Sequence, residues 1–156
     1  MLNLLEFIDK CFLESGNIMP NTERIENIMT RGVFTVDFDD SIKKADDIMK
    51  EEKVKHVPVV DNGKFIGMIT ERTLMEYSLR KIYEYDDTET GFNKISDFEN
   101  VMSRTVYLIY PEDSVTKAIE IMTKKRIDYL PVVDWEKNLL GIITAMDILM
   151  YIKNKL

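Results

Sequence analysis

Toward its C-terminal end the chain reads Gly141-Ile142-Ile143-Thr144-Ala145-Met146-Asp147. The β-branched residues give way to helix formers, so a strand should end and a helix begin here. Thr144 stands where an N-cap belongs, and Asp147 falls three residues later, at N3. That spacing is a capping arrangement: the hydroxyl accepts from the N3 amide, and the carboxylate lies near the positive helix end. The same carboxylate can also accept two hydrogen bonds from the adjacent hydroxyls of a ribose, as an acidic residue does in dinucleotide sites. Free N–H groups at the helix start favour an anion beside it.

A second stretch, Gly67-Met68-Ile69-Thr70-Glu71-Arg72-Thr73, has the same form but ends on a threonine. A hydroxyl cannot chelate a diol as a carboxylate can. Losing a charged acceptor costs about 1.5–3 kcal/mol, roughly a tenfold to hundredfold weaker site. Glu71 is out of position to replace it. Other reactive chemistry is sparse. One histidine, His56, excludes a histidine-rich metal site, and one cysteine, Cys11, excludes an internal disulfide or a multi-cysteine metal site. There is no nucleophile–base pair, glycine-rich phosphate loop or acidic metal cluster, so neither catalytic nor metal-binding residues are expected.

An internal repeat positions these two stretches. Shifted by 73 residues, ENIMTRGVF (26–34) lies over ENVMSRTVY (99–107), DSIKKADDIM (40–49) over DSVTKAIEIM (113–122), and VKHVPVVD (54–61) over IDYLPVVD (127–134). After one extra residue in the second copy, GMITERTLM (67–75) lies over GIITAMDIL (141–149). Two copies are too few for a solenoid and suit a pseudo-twofold pair.

Each copy reads as strand, helix, strand, strand, helix. Val33–Val36 and Val106–Ile109 predict short strands. Ser41 and Ser114 predict N-caps for helices with apolar residues at Ile42, Ala45, Ile48 and Met49, and at Val115, Ala118, Ile121 and Met122. Val57–Val60 and Leu130–Val133 are the next strands, each with a proline near its start. Asn62-Gly63 predicts a two-residue hairpin turn into Phe65–Ile69, and Trp135–Asn138 a longer turn into Leu139–Ile143. Helices over Glu71–Arg80 and Ala145–Lys153 close the copies. The expected organisation is an N-terminal helix (1–16), a first unit (17–80), a connector (81–97) and a second unit (98–156). The fold class is mixed α/β (α+β): two β-α-β-β-α units related by a pseudo-twofold and packed together, with an extra N-terminal helix.

Composition narrows the function. The 156 residues carry 21 basic and 28 acidic side chains, a net charge of −7, with 45% hydrophobic residues. That is a foldable chain with no basic face for nucleic acid and little attraction to an anionic membrane. No stretch approaches the eighteen apolar residues of a membrane span. Leu2, Leu5, Ile8 and Phe12 make the N-terminus an amphipathic helix rather than a signal peptide, so a cytoplasmic location is expected. The ten methionines are expected mainly to fill core gaps.

The combination [IV]-M-[ST], D-S-[IV]-x-x-A-x-x-[IM]-M, P-V-V-D and G-x-[IL]-T-x-x-D resembles the cystathionine β-synthase (CBS) domain, and two in tandem resemble a Bateman module. The likeness covers about 25–80 and 98–153. It implies two clefts that hold adenosine nucleotides and a role in reporting nucleotide state to another protein. Carried over residue by residue, it implies a nucleotide site of Asp147, Thr144, Ile143, Tyr129, Leu130, Pro131, Thr105, Val106 and Tyr107, with Val106, Tyr107, Leu130 and Pro131 as walls for the base. A weaker cleft would use Thr70, Thr73, Lys55, His56, Val57, Pro58, Val33 and Phe34. Thr73 breaks the pattern where the ribose aspartate belongs, and Asp128-Tyr129 stands where Lys55-His56 supplies cations in the first copy. Arg31 and Arg104 repeat and suit either phosphate or surface carboxylates. The expected ligand is a regulatory AMP, ADP or ATP, with no obligatory cofactor. The expected partners are a second copy, pairing through helices that carry Leu74, Leu79, Ile148, Leu149 and Ile152, and a regulated protein. The other reading is a ligand-free structural or dimerisation module.

Overall fold

The computed structural model describes residues 23–84 and 98–155. The expected N-terminal helix, Cys11 and residues 85–97 of the connector lie outside the described residues. Two compact units emerge, and their composition crosses the repeat boundary. Among the described residues, one unit comprises 32–84, 98–106 and 136–139, and the other comprises 23–31, 107–135 and 140–155.

In the first of these units, β1 (Val36–Asp37) leads to helix α1 (Ile42–Glu51), strands β2 (His56–Asp61) and β3 (Lys64–Thr70), and helix α2 (Glu71–Glu84). A single helical turn, α3 (Phe98–Val101), completes it. The sheet order is β1-β2-β3, with β1 parallel to β2 and β2 antiparallel to β3. Asn62 (φ 49°) and Gly63 (φ 78°) make the expected tight turn, whose two positive φ angles suit this dipeptide. Ser41 caps α1 by accepting from the Lys44 amide at 3.3 Å. Pro58 sits in β2 opposite Met68, just before the parallel pairing to β1 begins at Val59, so its missing N–H leaves no gap in that ladder.

The other unit contains α4 (Val115–Lys125), β4 (Tyr129–Val133), β5 (Leu139–Thr144) and α5 (Ala145–Lys155). Leu139 at the start of β5 is counted with the first unit, where its amide donates to the Gly63 carbonyl at 3.3 Å. Ser114 caps α4 through the Lys117 amide at 3.1 Å.

The first strand of each copy is shorter than expected. Residues 33–35 have no ladder partner, and only Val36 and Asp37 pair, with Val59 and Val60. In the second copy the strand shrinks to one parallel bridge, Ile109 to Val132. β4-β5 is accordingly a two-stranded sheet.

Segments at the start of each repeat fill the core of the unit built on the other. Phe98, Val101 and Met102 pack with Val36, Ile42, Val57, Ile69 and Leu74. Ile25 and Met29 pack with Ile109, Val115, Met122, Leu130, Ile143 and Ile148. Both segments run antiparallel to a sheet strand at one residue, Ser103 to Met68 and Thr30 to Ile142. Glycine permits each approach. A Cβ on Gly141 would lie 2.6 Å from the Thr30 carbonyl oxygen, and one on Gly67 would lie 2.8 Å from Met102 Sδ and 3.1 Å from the Ser103 oxygen.

Candidate functional site

At the start of α5, Thr144 and Asp147 form a reciprocal cap. The Thr144 amide and hydroxyl donate to Asp147 Oδ2 at 2.8 Å and 2.6 Å, and the Asp147 amide donates to Thr144 Oγ1 at 3.2 Å. The carboxylate is thereby fixed at the positive end of an eleven-residue helix. The Ala145 amide is taken by the Asp128 carbonyl at 2.9 Å, which ties the entry of β4 to the exit of β5.

Asp147 Oδ1 also accepts a hydrogen bond from the Thr30 hydroxyl at 3.2 Å, across 117 residues of sequence. Nothing in the local pattern of either repeat signals this contact. Four residues along α5, Tyr151 donates to Glu23 Oε2 at 2.7 Å. Segment 23–30 is therefore held on α5 at both ends. The pair shapes its own ionisation: burial and the bond to Glu23 push Tyr151 up to about 12. The bonds from Tyr151 and Asn27 hold Glu23 below the ordinary carboxylate range.

Tyr129 is half-buried beside Asp128, and burial followed by that charge raises its phenol above the ordinary value. Leu130, Pro131 and Ile143 are buried in their unit's core. Their side chains are committed to packing, which leaves backbone as what they can offer a ligand. Tyr107 remains 41% exposed, and the Lys125 ammonium lies 4.7 Å from its ring centroid. Lys125 is a cation that the residues flanking Pro131 did not announce. Thr105 and Val106 fall in the other compact unit.

The equivalent start of α2 is capped without a carboxylate. The Thr70 amide donates to Thr73 Oγ1 at 2.9 Å, the Thr73 amide to Thr70 Oγ1 at 3.1 Å, and the Thr73 hydroxyl to the Thr70 carbonyl at 3.1 Å. Thr73 thus keeps the structural half of the aspartate's role. Val57 and Pro58 are buried, His56 and Val33 are half-buried, Lys55 is exposed, and Phe34 is 47% exposed. Of the repeated arginines, Arg104 pairs with Glu99 at 2.8 Å and Arg31 donates to the Glu26 carbonyl at 3.1 Å. Among the described residues no group of three potential metal ligands comes together, and no helix is long and apolar enough to cross a membrane.

The family model described as the CBS domain matches residues 25–80 and again 95–154. The chain belongs to the CBS domain family. As a CBS pair it is similar to the homoserine O-acetyltransferase of Methanococcoides burtonii, 32% identical over 148 residues. It is also similar to the inosine-5′-monophosphate dehydrogenase of Methanocaldococcus jannaschii, 30% identical over 128 residues. The alignments cover 90% and 81% of this chain, but only 28% and 23% of those relatives. Among solved structures, the CBS domain pair of protein MJ0100, in complex with 5′-methylthioadenosine and S-adenosyl-L-methionine, is 25% identical with a TM-score of 0.72. The similarity covers 86% of this chain and 99% of that one. CBSX2 in complex with AMP shares the fold at 20% identity and a TM-score of 0.70, over 85% of this chain and 97% of that one.

Proposed function

We propose that this CBS pair is a non-catalytic sensor that binds an adenosine-type ligand at the start of α5 and passes its occupancy to a regulated protein. The observation that carries this reading is the Asp147 carboxylate. Thr144 locks one of its oxygens, and the whole group sits at the positive end of an eleven-residue helix. A ribose supplies the hydroxyl donors that such a carboxylate accepts. The MJ0100 pair, in complex with 5′-methylthioadenosine and S-adenosyl-L-methionine, two ribose-bearing ligands, supports the class of ligand. AMP, ADP and ATP belong to the same class. In this reading Thr144 and the backbone of Tyr129–Pro131 and Ile143 hold the ribose and base edge, with Tyr107 beside the base. Thr73, Thr70, Lys55, His56, Val57, Pro58, Val33 and Phe34 make a weaker counterpart. The acetyltransferase and dehydrogenase activities belong to the much longer relatives, and the present chain supplies regulation rather than catalysis.

Pairing of two copies is part of the proposal. Leu74 and Ile148 are buried within their own units and are unavailable for it. Met75 and Leu79 on α2, and Met146 and Met150 on α5, are exposed at i, i+4 spacing and supply the apolar surface instead.

Calorimetric titration of wild type and Asp147→Ala with AMP, ADP, ATP, 5′-methylthioadenosine and S-adenosylmethionine tests the reading. Binding to wild type that weakens roughly tenfold or more in the variant is expected, the loss of a charged hydrogen-bond acceptor. No binding of any of the five to wild type would sink it and leave the dimerisation module as the better account.

A further inference from the structure

We infer that Thr30, which lies outside the two strand-to-helix stretches 67–73 and 141–147, is the second hydroxyl acceptor of the diol site formed with Asp147. The inference rests on the ribose reading of Asp147 and adds a residue to it. Among the described residues, Asp147 Oδ2 already accepts two hydrogen bonds, both from Thr144. A carboxylate oxygen has room for about two. Oδ1 accepts one, from the Thr30 hydroxyl at 3.2 Å, and so has one acceptor position left. A vicinal diol brings two donors, and the carboxylate by itself is one acceptor short.

Thr30 makes up the difference. Its hydroxyl gives its only proton to Oδ1 and keeps two lone pairs. Oδ1 and Thr30 Oγ1 are then neighbouring acceptors, spaced much as two vicinal hydroxyl oxygens are. One ligand hydroxyl donates to Oδ1 and the other to Thr30 Oγ1. Thr30 is exposed and Asp147 half-exposed, so both are open to a ligand. The Thr30 backbone is anchored independently of its side chain, by its amide to the Ile142 carbonyl at 2.9 Å and by the Ile142 amide to its carbonyl at 3.0 Å. The threonine can therefore be changed without releasing the segment.

The other unit lacks the pair. Ser103 occupies the place of Thr30, bonded to Met68 in the same way. The helix position equivalent to Asp147 carries Thr73, and the Ser103 hydroxyl lies 3.5 Å from the Thr105 carbonyl. One diol site per chain is the consequence. It also makes 23–31, the segment at the start of the first repeat, a direct participant in binding.

The test titrates wild type, Thr30→Val, Thr30→Ser and Asp147→Ala with AMP and 5′-methylthioadenosine. The 2′-deoxy and 3′-deoxy forms of the tighter binder follow. Expected is a weakening of roughly fivefold to tenfold in Thr30→Val, the loss of one neutral hydrogen bond. Thr30→Ser should recover most of it. For the deoxy form that lacks the hydroxyl Thr30 accepts, wild type and Thr30→Val should bind alike. If Asp147→Ala weakens binding while Thr30→Val binds as wild type or tighter, the Thr30 contact is refuted and the ribose reading stands. If Thr30→Val weakens the diol and both deoxy forms equally, Thr30 touches no ligand hydroxyl and the inference also fails. If neither compound binds wild type, the ribose reading falls and takes the inference with it.

Discussion

Replacing Gly141 by alanine should loosen segment 23–31 from its unit. The added Cβ would lie 2.6 Å from the Thr30 carbonyl oxygen and 3.2 Å from Met29 Sδ. The first atom is backbone and cannot rotate away. Relief requires the segment to lift, which lengthens both Thr30–Ile142 hydrogen bonds and withdraws Met29 from the core. Two backbone bonds contribute about 0.5–1.5 kcal/mol each, and overpacking a filled contact costs about 1–3 kcal/mol. Alanine restricts the unfolded chain and returns about 0.4–1 kcal/mol. The net expectation is a loss of roughly 2–4 kcal/mol. Gly67→Ala is the internal control. Its tightest neighbour is Met102 Sδ at 2.8 Å, the movable part of a flexible side chain, and the Ser103 oxygen is at 3.1 Å. A loss of about 1 kcal/mol is expected there. Urea denaturation followed by far-ultraviolet circular dichroism measures both. The close-approach reasoning is refuted if Gly141→Ala stays within about 0.5 kcal/mol of wild type, or if Gly67→Ala is the more damaging change.

Thr73→Asp should restore a carboxylate to the start of α2 while Thr70 still caps it. Calorimetric stoichiometry should then rise from one ligand per chain toward two, and an unchanged value of one would show that more than this aspartate is missing. Tyr151→Phe should cost about 1 kcal/mol near neutral pH, a charged hydrogen bond discounted for its exposure. Glu23 is lowered in the folded state, so its contribution is present above its ordinary value of 4.5 and fades as pH falls below it. Tyr151 is raised to about 12, so its contribution is complete below its ordinary value of 10 and disappears as pH climbs through the raised one. Melting temperatures of the two proteins should converge as pH drops from about 7 to 3; a constant gap would contradict the assignment.

Local chemistry made most of the elements legible. Ser41 and Ser114 cap the helices they were expected to cap, and Asn62-Gly63 turns the expected hairpin. Thr144 and Asp147 take up the reciprocal cap that their spacing demands. The exchange of segments was not legible, because the repeat is degenerate at that point. ENIMT and ENVMS present the same apolar and polar positions, and Gly67 and Gly141 offer the same notch to either. Periodicity states that such a segment packs on a sheet, and not on which copy. The contact of Thr30 with Asp147 was hidden for the same reason. The first strands were over-read because Val33–Val36 and Val106–Ile109 have strand composition, whereas pairing depends on a neighbour long enough to meet them.

The exchange also bears on how the chain acquires its structure. Thr30 meets Asp147 across 117 residues, and Glu23 meets Tyr151 across 128. Closing loops of that length is slow relative to forming helices and hairpins. During synthesis Ile25 and Met29 have no partner core until β5 and α5 emerge, and the first-repeat unit also waits for residues 136–139. Neither repeat carries the whole of the core it belongs to. A cut in the connector would separate each repeat from the segment that completes it, and the two fragments would regain their cores only by recombining.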